Sequence, residues 1–383
     1  MEVPFSKEYY TGKEKEYITD IIENKYHTRG DGYYTEKVSA LLEEKFSVYK
    51  VFMTTSGTHA LEMSTSLIDL KSGEEVIMPS FTFPSTANAV LKNGGIPIFA
   101  DIKPDTLNID PKDILDKITN QTKAIMPIHY AGIAADMEKI KEIAAEFNLS
   151  IIEDAAQAVN SQYKGNYLGT IGDFGCFSFH STKNYISGEG GALLINKEEE
   201  ELVKKAAVLR EKGTNRFSFL KGEVDKYTWV EEGSSYLPSD LLMAFLYAQL
   251  EKMDQIKNMR KNIFDIYQNK LKNINNYHFV NSITKIPKGR KINYNSFYII
   301  VNDKNIRDKM IELLKEKGIT ATFHYIPLHI SRMGDKLGYK KGNLPVTEKT
   351  ADTILRLPLY TQMSERKVDY VINNIKEIFE ELK

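Results

Sequence analysis

Residues 177–196 read FSFHSTKNYISGEGGALLIN. An apolar run closes on Ser178, Lys183 follows within a few residues, and Ser-Gly-Glu-Gly-Gly leads into a second apolar run. Short apolar runs bounded by polar or glycine residues read as buried strands. Gly188, Gly190 and Gly191 permit close backbone approach between them. The ordinary fate of a lysine is a solvated loop. A lysine just beyond a buried strand instead lies where open α/β sheets take their ligands. An amine in that place can form a Schiff base with an aldehyde cofactor.

Working outward, EVIMP (75–79), IPIFA (96–100), KAIMPIH (123–129), SIIED (150–154), GCFSFH (175–180) and ALLIN (192–196) are expected to be strands. DMEKIKEIAAEFN (136–148) has apolar residues at helical spacing, with Asp136 placed to cap it. Strands alternating with helices imply an α/β fold with a largely parallel sheet covered on both faces. A long helical pattern begins after Pro238 and Ser239, within residues 233–271, and leads out of this region. Beyond it, SFYIIV (296–301) reads as a strand and DKMIELLKEKG (308–318) as a helix, in a smaller α+β unit. The expected division is a large domain over 1–248 and a small C-terminal domain over 249–383.

The chain has 383 residues, with 51 Lys plus Arg against 52 Asp plus Glu. Near-neutral charge gives no electrostatic case for nucleic acid or a membrane surface. The single cysteine, Cys176, excludes an intramolecular disulfide and a cysteine-rich zinc cluster, and no metal is expected. The N-terminus has no apolar core of signal-peptide length, and no run reaches membrane-span length, so a cytoplasmic protein is expected.

Two further motifs carry chemistry. In IIEDAAQAV (151–159), Glu153 and Asp154 follow a buried strand, and Gln157 comes three residues later. A carboxylate there can hold a positive charge; it can equally cap the next element. In TTSGTHALEM (54–63), Ser56, Gly57 and Thr58 precede a helical pattern, and free N–H groups at such a start suit a phosphate. The stretch lacks the lysine of a P-loop and the GxGxxG of a dinucleotide fold. Pyridoxal phosphate needs a lysine, an acid for its pyridine nitrogen, phosphate donors and an apolar ring partner. Lys183, Asp154, the 55–58 turn and the aromatics of PSFTFPST (79–86) supply them.

TTSGTHAL, VIMPSFTFPSTANA, IIEDAAQA and CFSFHSTKNYISGEGGALL together resemble the DegT/DnrJ/EryC1/StrS sugar aminotransferases, over essentially the whole chain. The resemblance implies a fold type I pyridoxal-phosphate enzyme with a mostly parallel seven-stranded sheet. Lys183 would hold the cofactor and then serve as base, Asp154 would pair with the pyridinium, and Gln157 would meet the ring's 3-oxygen. Phe83 would stack on the ring, and Ser56, Gly57, Thr58 and Ser178 would bind the phosphate. Glu189, Tyr325 and His329 are the implied sugar-site residues. Lys212 and Arg216 are candidates for the substrate's diphosphate, or members of a solvated loop, and His129 is a further candidate.

PIHYAG (127–132), LREKGTNR (209–216), VDKYTW (224–229), GSSYLPSD (233–240), FHYIPLH (323–329) and LRLPLY (355–360) resemble the branch that makes dTDP-4-amino-4,6-dideoxygalactose. The implied substrates are a dTDP-4-keto-6-deoxyhexose and L-glutamate, in a homodimer with shared sites. Many relatives carry a GxNxR-like sequence near 233–237. Here Ser235 stands where they place Asn and Leu237 where they place Arg. The Asn reaches the phosphate of the neighbouring subunit's site, and Ser235 would take that role. Amination at C3 and a gluco-configured 4-amino product remain open. Lys183 weighs against a sugar dehydratase, whose lysine is replaced by histidine, and the chain has no basic arm or added module of a DNA-binding regulator.

Overall fold

The structure is a computed structural model that describes residues 1–274 and 276–383 in full and residue 275 in its backbone only. Seven strands form the main sheet: β1 (Lys50–Thr54), β2 (Glu75–Pro79), β3 (Ile96–Ala100), β4 (Thr122–Ile125), β5 (Ser150–Asp154), β6 (Phe174–Ser178) and β7 (Gly191–Ile195). Their spatial order is β1-β7-β6-β5-β4-β2-β3, and only β7 runs antiparallel to its neighbours. The sheet is therefore mostly parallel and seven-stranded, as the resemblance implied.

Both faces are covered. Val51, Met53, Ile77, Ile125 and Ile151 enter one hydrophobic core, while Phe52, Val76, Met78, Ala124 and Ile152 enter another. Successive strand residues point to opposite faces, so continuous apolar runs are what a doubly covered sheet requires. β6 and β7 are buried at every position.

A second sheet contains β8 (Val280–Ile283), β9 (Phe297–Val301) and β10 (Ile354–Leu357), all antiparallel. Phe264, Phe279, Phe297, Met310, Val368 and Phe379 share its core with helices Lys304–Glu316 and Glu365–Glu381. Short strands at 162–163, 166–167 and 290–291 form a third, small sheet.

Several expectations change in detail. β1 is a strand that the apolar-run reading did not single out. Asp136 occupies the cap position of helix Met137–Phe147 but makes no cap bond; its carboxylate accepts from the Tyr163 hydroxyl at 3.0 Å. The long pattern after Ser239 is two helices, Asp240–Leu250 and Met253–Lys270. In the second, Met253 and Ile256 pack into the first core while Ile263, Phe264 and Tyr267 pack into the second. That helix spans both units. Val3 bridges Ile319, so the extreme N-terminus packs with the second unit. Among the described residues no helix is long and apolar enough to cross a membrane.

Candidate active site

The carboxyl ends of the six parallel strands of the main sheet lie on one side together with the amino end of β7, and open α/β sheets bind their ligands beyond strand carboxyl ends. Register sets the first contacts. Gly191 pairs with Thr54 on one flank and with Ser178 on the other, so the turn after β1 lies beside the end of β6. A Cβ on Gly191 would fall 2.3 Å from the Ser56 carbonyl carbon, and one on Gly57 would fall 2.9 Å from Ser178 Cβ. Only glycine fits at these two approaches.

Ser56 caps helix Gly57–Leu67, its hydroxyl accepting from His59 N–H at 3.2 Å. The first-turn N–H groups of Gly57 and Thr58 have no intrahelical acceptor, and the helix end attracts an anion. Thr58 Oγ1 lies 2.7 Å from Ser85 Oγ. The Ser178 hydroxyl accepts only a long bond, 3.5 Å, from His180 N–H. These groups form an anion cradle of hydroxyls and backbone donors.

Asp154 ends β5 and is buried. Its Oδ2 accepts from the Thr86 hydroxyl at 2.8 Å and its Oδ1 from Ala156 N–H at 3.2 Å. Burial holds its carboxyl above the usual range, opposed by these two bonds and by the charge of Lys183. A buried carboxylate in such a place gains most from a cation brought to it.

Lys183 sits in a turn, its N–H donating to His180 O at 2.8 Å. Burial lowers its ammonium to about 8; Asp154 opposes that shift and Arg356 adds to it. Lys183, Gln157 and Ser178 line one narrow crevice with Asn184 and Asn293. Gln157 is held at both ends: Oε1 accepts from Ala131 N–H at 2.8 Å, and Nε2 donates to Tyr325 Oη at 2.6 Å. Tyr325 stacks on His324 with ring centroids 3.7 Å apart and meets Phe81 edge to face.

The crevice depends on two residues that sequence reading missed. Asn293 donates to the carbonyls of Gln157 and Val159 at 2.9 and 3.0 Å, and Asn184 donates to Asn293 O at 2.8 Å. An asparagine in a short irregular segment carries no sequence signal for this role. His324 was also missed; burial pushes its imidazole far down, and Arg356 and Lys183 add to that shift.

The remaining candidates divide. Phe83 immediately precedes helix Pro84–Lys92 and is 60 % exposed, three residues before Thr86, whose hydroxyl bonds Asp154. Ser235 is exposed and bridges Glu211, while its neighbour Tyr236 accepts from Thr55 N–H at 2.9 Å. Glu189 is exposed, with its carboxylate 3.7 Å from His180 Nε2. Lys212 and Arg216 line neither cavity that contains Lys183, and Arg216 pairs with Glu211.

His329 is a correction. It is fully buried, with Nδ1 2.8 Å from Ser80 Oγ and Nε2 3.0 Å from Glu348 Oε1, so neither nitrogen is left for a sugar. His129 is likewise committed, with Nε2 2.8 Å from Glu153 Oε2 and Nδ1 accepting from Ala135 N–H. Glu153 also takes N–H bonds from Gly169, Ile171 and Gly172, so it organises a turn. Among the described residues no cluster suits a metal ion.

The residues present fit pyridoxal phosphate. They supply a depressed lysine amine, a buried acid, an anion cradle closed by glycines and a nearby aromatic. Comparison with known proteins agrees. The family model described as the DegT/DnrJ/EryC1/StrS aminotransferase family matches residues 9–376. The chain is 31 % identical to GDP-perosamine synthase of Escherichia coli O157:H7, covering 98 % of each chain. It is 32 % identical to the spore coat polysaccharide biosynthesis protein SpsC of Bacillus subtilis (strain 168), covering 98 % of this chain and 97 % of that one. The PLP-form structure of the putative sugar aminotransferase Spr1654 from Streptococcus pneumoniae superposes with a TM-score of 0.91 at 25 % identity, over 100 % of both chains. The chain belongs to the DegT/DnrJ/EryC1/StrS aminotransferase family and is a pyridoxal-phosphate-dependent sugar aminotransferase.

Proposed function

We propose that this enzyme moves the amino group of L-glutamate to C4 of dTDP-4-keto-6-deoxy-D-glucose. The product is dTDP-4-amino-4,6-dideoxy-D-galactose, a precursor for cell-surface polysaccharide. One observation carries the reading. The segments FHYIPLH and LRLPLY, which bear the resemblance to that branch of the family, supply groups that surround Lys183. His324 and Arg356 are both electrostatically coupled to it, and Tyr325 is bonded to Gln157.

When bound, the cofactor supplies an electron sink that makes the adjoining C–H bond acidic. The protein's own groups do the rest. Asp154, steered by Thr86 and Ala156, would hold the pyridine nitrogen, and its carboxylate would favour the protonated form there. Lys183 near 8 is neutral in a useful fraction around physiological pH, so it can take a proton from one carbon and return it to another. Gln157, locked by Ala131 and Tyr325, offers a fixed polar edge to the ring oxygen. The helix start at Gly57, with Ser56 and Ser178, would hold the cofactor's phosphate.

The reading includes a homodimer in which the turn holding Ser235 completes the partner's site. Its support is the exposed apolar surface of the segment just before that turn: Trp229 is 76 % exposed and Tyr227 53 %. Exposed apolar clusters mark contact surfaces. Light scattering should report two chains, and a fully active monomer contradicts this part.

The deciding experiment incubates the enzyme with dTDP-4-keto-6-deoxyglucose, L-glutamate and pyridoxal phosphate and assigns the product by NMR. An axial amine at C4, seen as a small H3–H4 coupling, is expected. An amine at C3, or an equatorial amine at C4, overturns the assignment while leaving the family intact.

A further inference from the structure

Residues 183–185 are barely tied by their own backbone. Among the described residues the one backbone hydrogen bond they make runs from Lys183 N–H to His180 O. The side chains of the next two residues do the holding, and both are buried. Tyr185 Oη donates to Met253 O at 3.3 Å, at the start of the helix that spans both units. Asn184 Nδ2 donates to Asn293 O at 2.8 Å, and its Oδ1 accepts from Asn295 Nδ2 at 3.1 Å.

Those two asparagines lie in the stretch that leads from the short strand at 290–291 into β9. Asn293 is 1 % exposed and also faces Gln157. Its Nδ2 donates to Gln157 O and Val159 O at 2.9 and 3.0 Å, and its N–H donates to Ser161 Oγ at 2.9 Å. A Cβ on Gly132 would fall 2.1 Å from Asn293 Oδ1, so the turn whose Ala131 N–H holds the Gln157 side chain rests on the same residue. Between the two asparagines Tyr294 has a φ of 57°, which an L residue keeps only where its surroundings enforce it. Arg260 enforces it, with Nε donating to Tyr294 O at 3.0 Å and Nη2 to Asn295 O at 2.9 Å. Buried amides bonded in this way hold a single arrangement.

We propose that Asn184 is a positioning residue for the reaction: through Asn293 and Asn295 it fixes Lys183 against the segment that carries Gln157. The inference rests on the roles given to Lys183 and Gln157 in the proposed function, and not on the identity of the sugar. A lysine has a flexible four-carbon stem, so the place of its amine depends on what anchors the backbone beneath it. Here that anchor is the neighbouring amide. Asn293 grips the Gln157 segment and the Asn184 side chain at once, so the amine of Lys183 and the polar edge of Gln157 keep one spacing. The same bonds hold the amine inside the protein, where burial lowers it to about 8. A misplacement of about 1 Å between reacting groups costs on the order of 100-fold in rate.

The test compares Asn184→Ala, Asn295→Ala and the double variant by two readouts. In the cofactor-free protein, trace labelling with acetic anhydride gives the pH inflection of Lys183. In the cofactor-loaded enzyme, steady-state assays give kcat and both KM values. Asn184→Ala releases the turn toward water, so the inflection should move up from about 8 toward the ordinary lysine value, by at least about one pH unit. Its kcat should fall roughly 10- to 100-fold while both KM values stay within about threefold. The double variant should lose little more than Asn184→Ala alone, because both substitutions break the same bond. In folded Asn184→Ala, an unmoved inflection, an unchanged kcat or a loss confined to KM overturns the proposal, whatever thermal unfolding reports. If Asn184→Ala fails to fold, Asn295→Ala decides: an upward inflection with a lower kcat supports the proposal, and wild-type values overturn it. Turnover retained by Lys183→Ala would overturn the proposed function and the positioning role together, whereas the outcomes above overturn the positioning role alone.

Discussion

In the cofactor-free protein the amine of Lys183 should react with electrophiles as a group of pKa about 8, against an ordinary lysine at 10.5. Burial is the main cause; the charge of Arg356 adds to it and Asp154 opposes it. At about pH 7 a group near 8 is roughly 10 % neutral, while an ordinary lysine is roughly 0.03 % neutral. The reactive form is therefore enriched on the order of 300-fold. Trace labelling with acetic anhydride, read by peptide mass spectrometry across a pH series, measures this directly, with the exposed lysines as internal references. Labelling of Lys183 should rise about tenfold per pH unit and level off above about 8. Two variants identify the causes. Asp154→Asn removes the acid that raises the value, so the inflection should move down. Arg356→Gln removes a cation that lowers it, so the inflection should move up. An inflection at the ordinary lysine value, or shifts of opposite sign, would refute the reasoning.

Asp154→Asn should keep the fold and lose most turnover, because shape is preserved while the charge that holds the pyridine proton is gone; unchanged steady-state turnover would reduce Asp154 to a cap. Thr86→Val removes the donor to Asp154 Oδ2, a bond to a charged group worth about 1.5–3 kcal/mol, and should weaken cofactor retention measured by equilibrium dialysis. Gly57→Ala places a Cβ 2.9 Å from Ser178 Cβ and 3.1 Å from Phe177 O, which should cost about 1–3 kcal/mol in denaturant unfolding and loosen the phosphate cradle. Glu153→Leu strands three N–H groups and His129, and thermal unfolding should report a loss of roughly 3–5 kcal/mol.

The strands carrying the site were legible because they are short apolar runs with sharp polar ends; β2, β3 and β5 begin and end where the runs do. Lys183, Asp154 and the 55–58 turn were legible because strand ends are where such a sheet binds. What escaped was set by tertiary contact. The break between the two helices at 251–252 interrupts no apolar period. Asp136 sits where a cap belongs, but Tyr163 takes its carboxylate. His129 and His329 have the chemistry of site residues, yet Glu153 and Ala135 occupy the nitrogens of the first, and Ser80 and Glu348 those of the second. Arg356 stood in plain view within LRLPLY. Only the second sheet's placement beside Lys183 shows that its charge acts on that amine.

The central claim is that Lys183 carries the cofactor. Borohydride reduction of the cofactor-loaded enzyme, followed by proteolysis and mass spectrometry, tests it in one step. The added mass of the reduced cofactor should fall on the peptide containing Lys183 and on that residue within it. Label on any other lysine, or recovery of an unmodified Lys183 peptide from protein whose cofactor absorbance has been bleached, would contradict it.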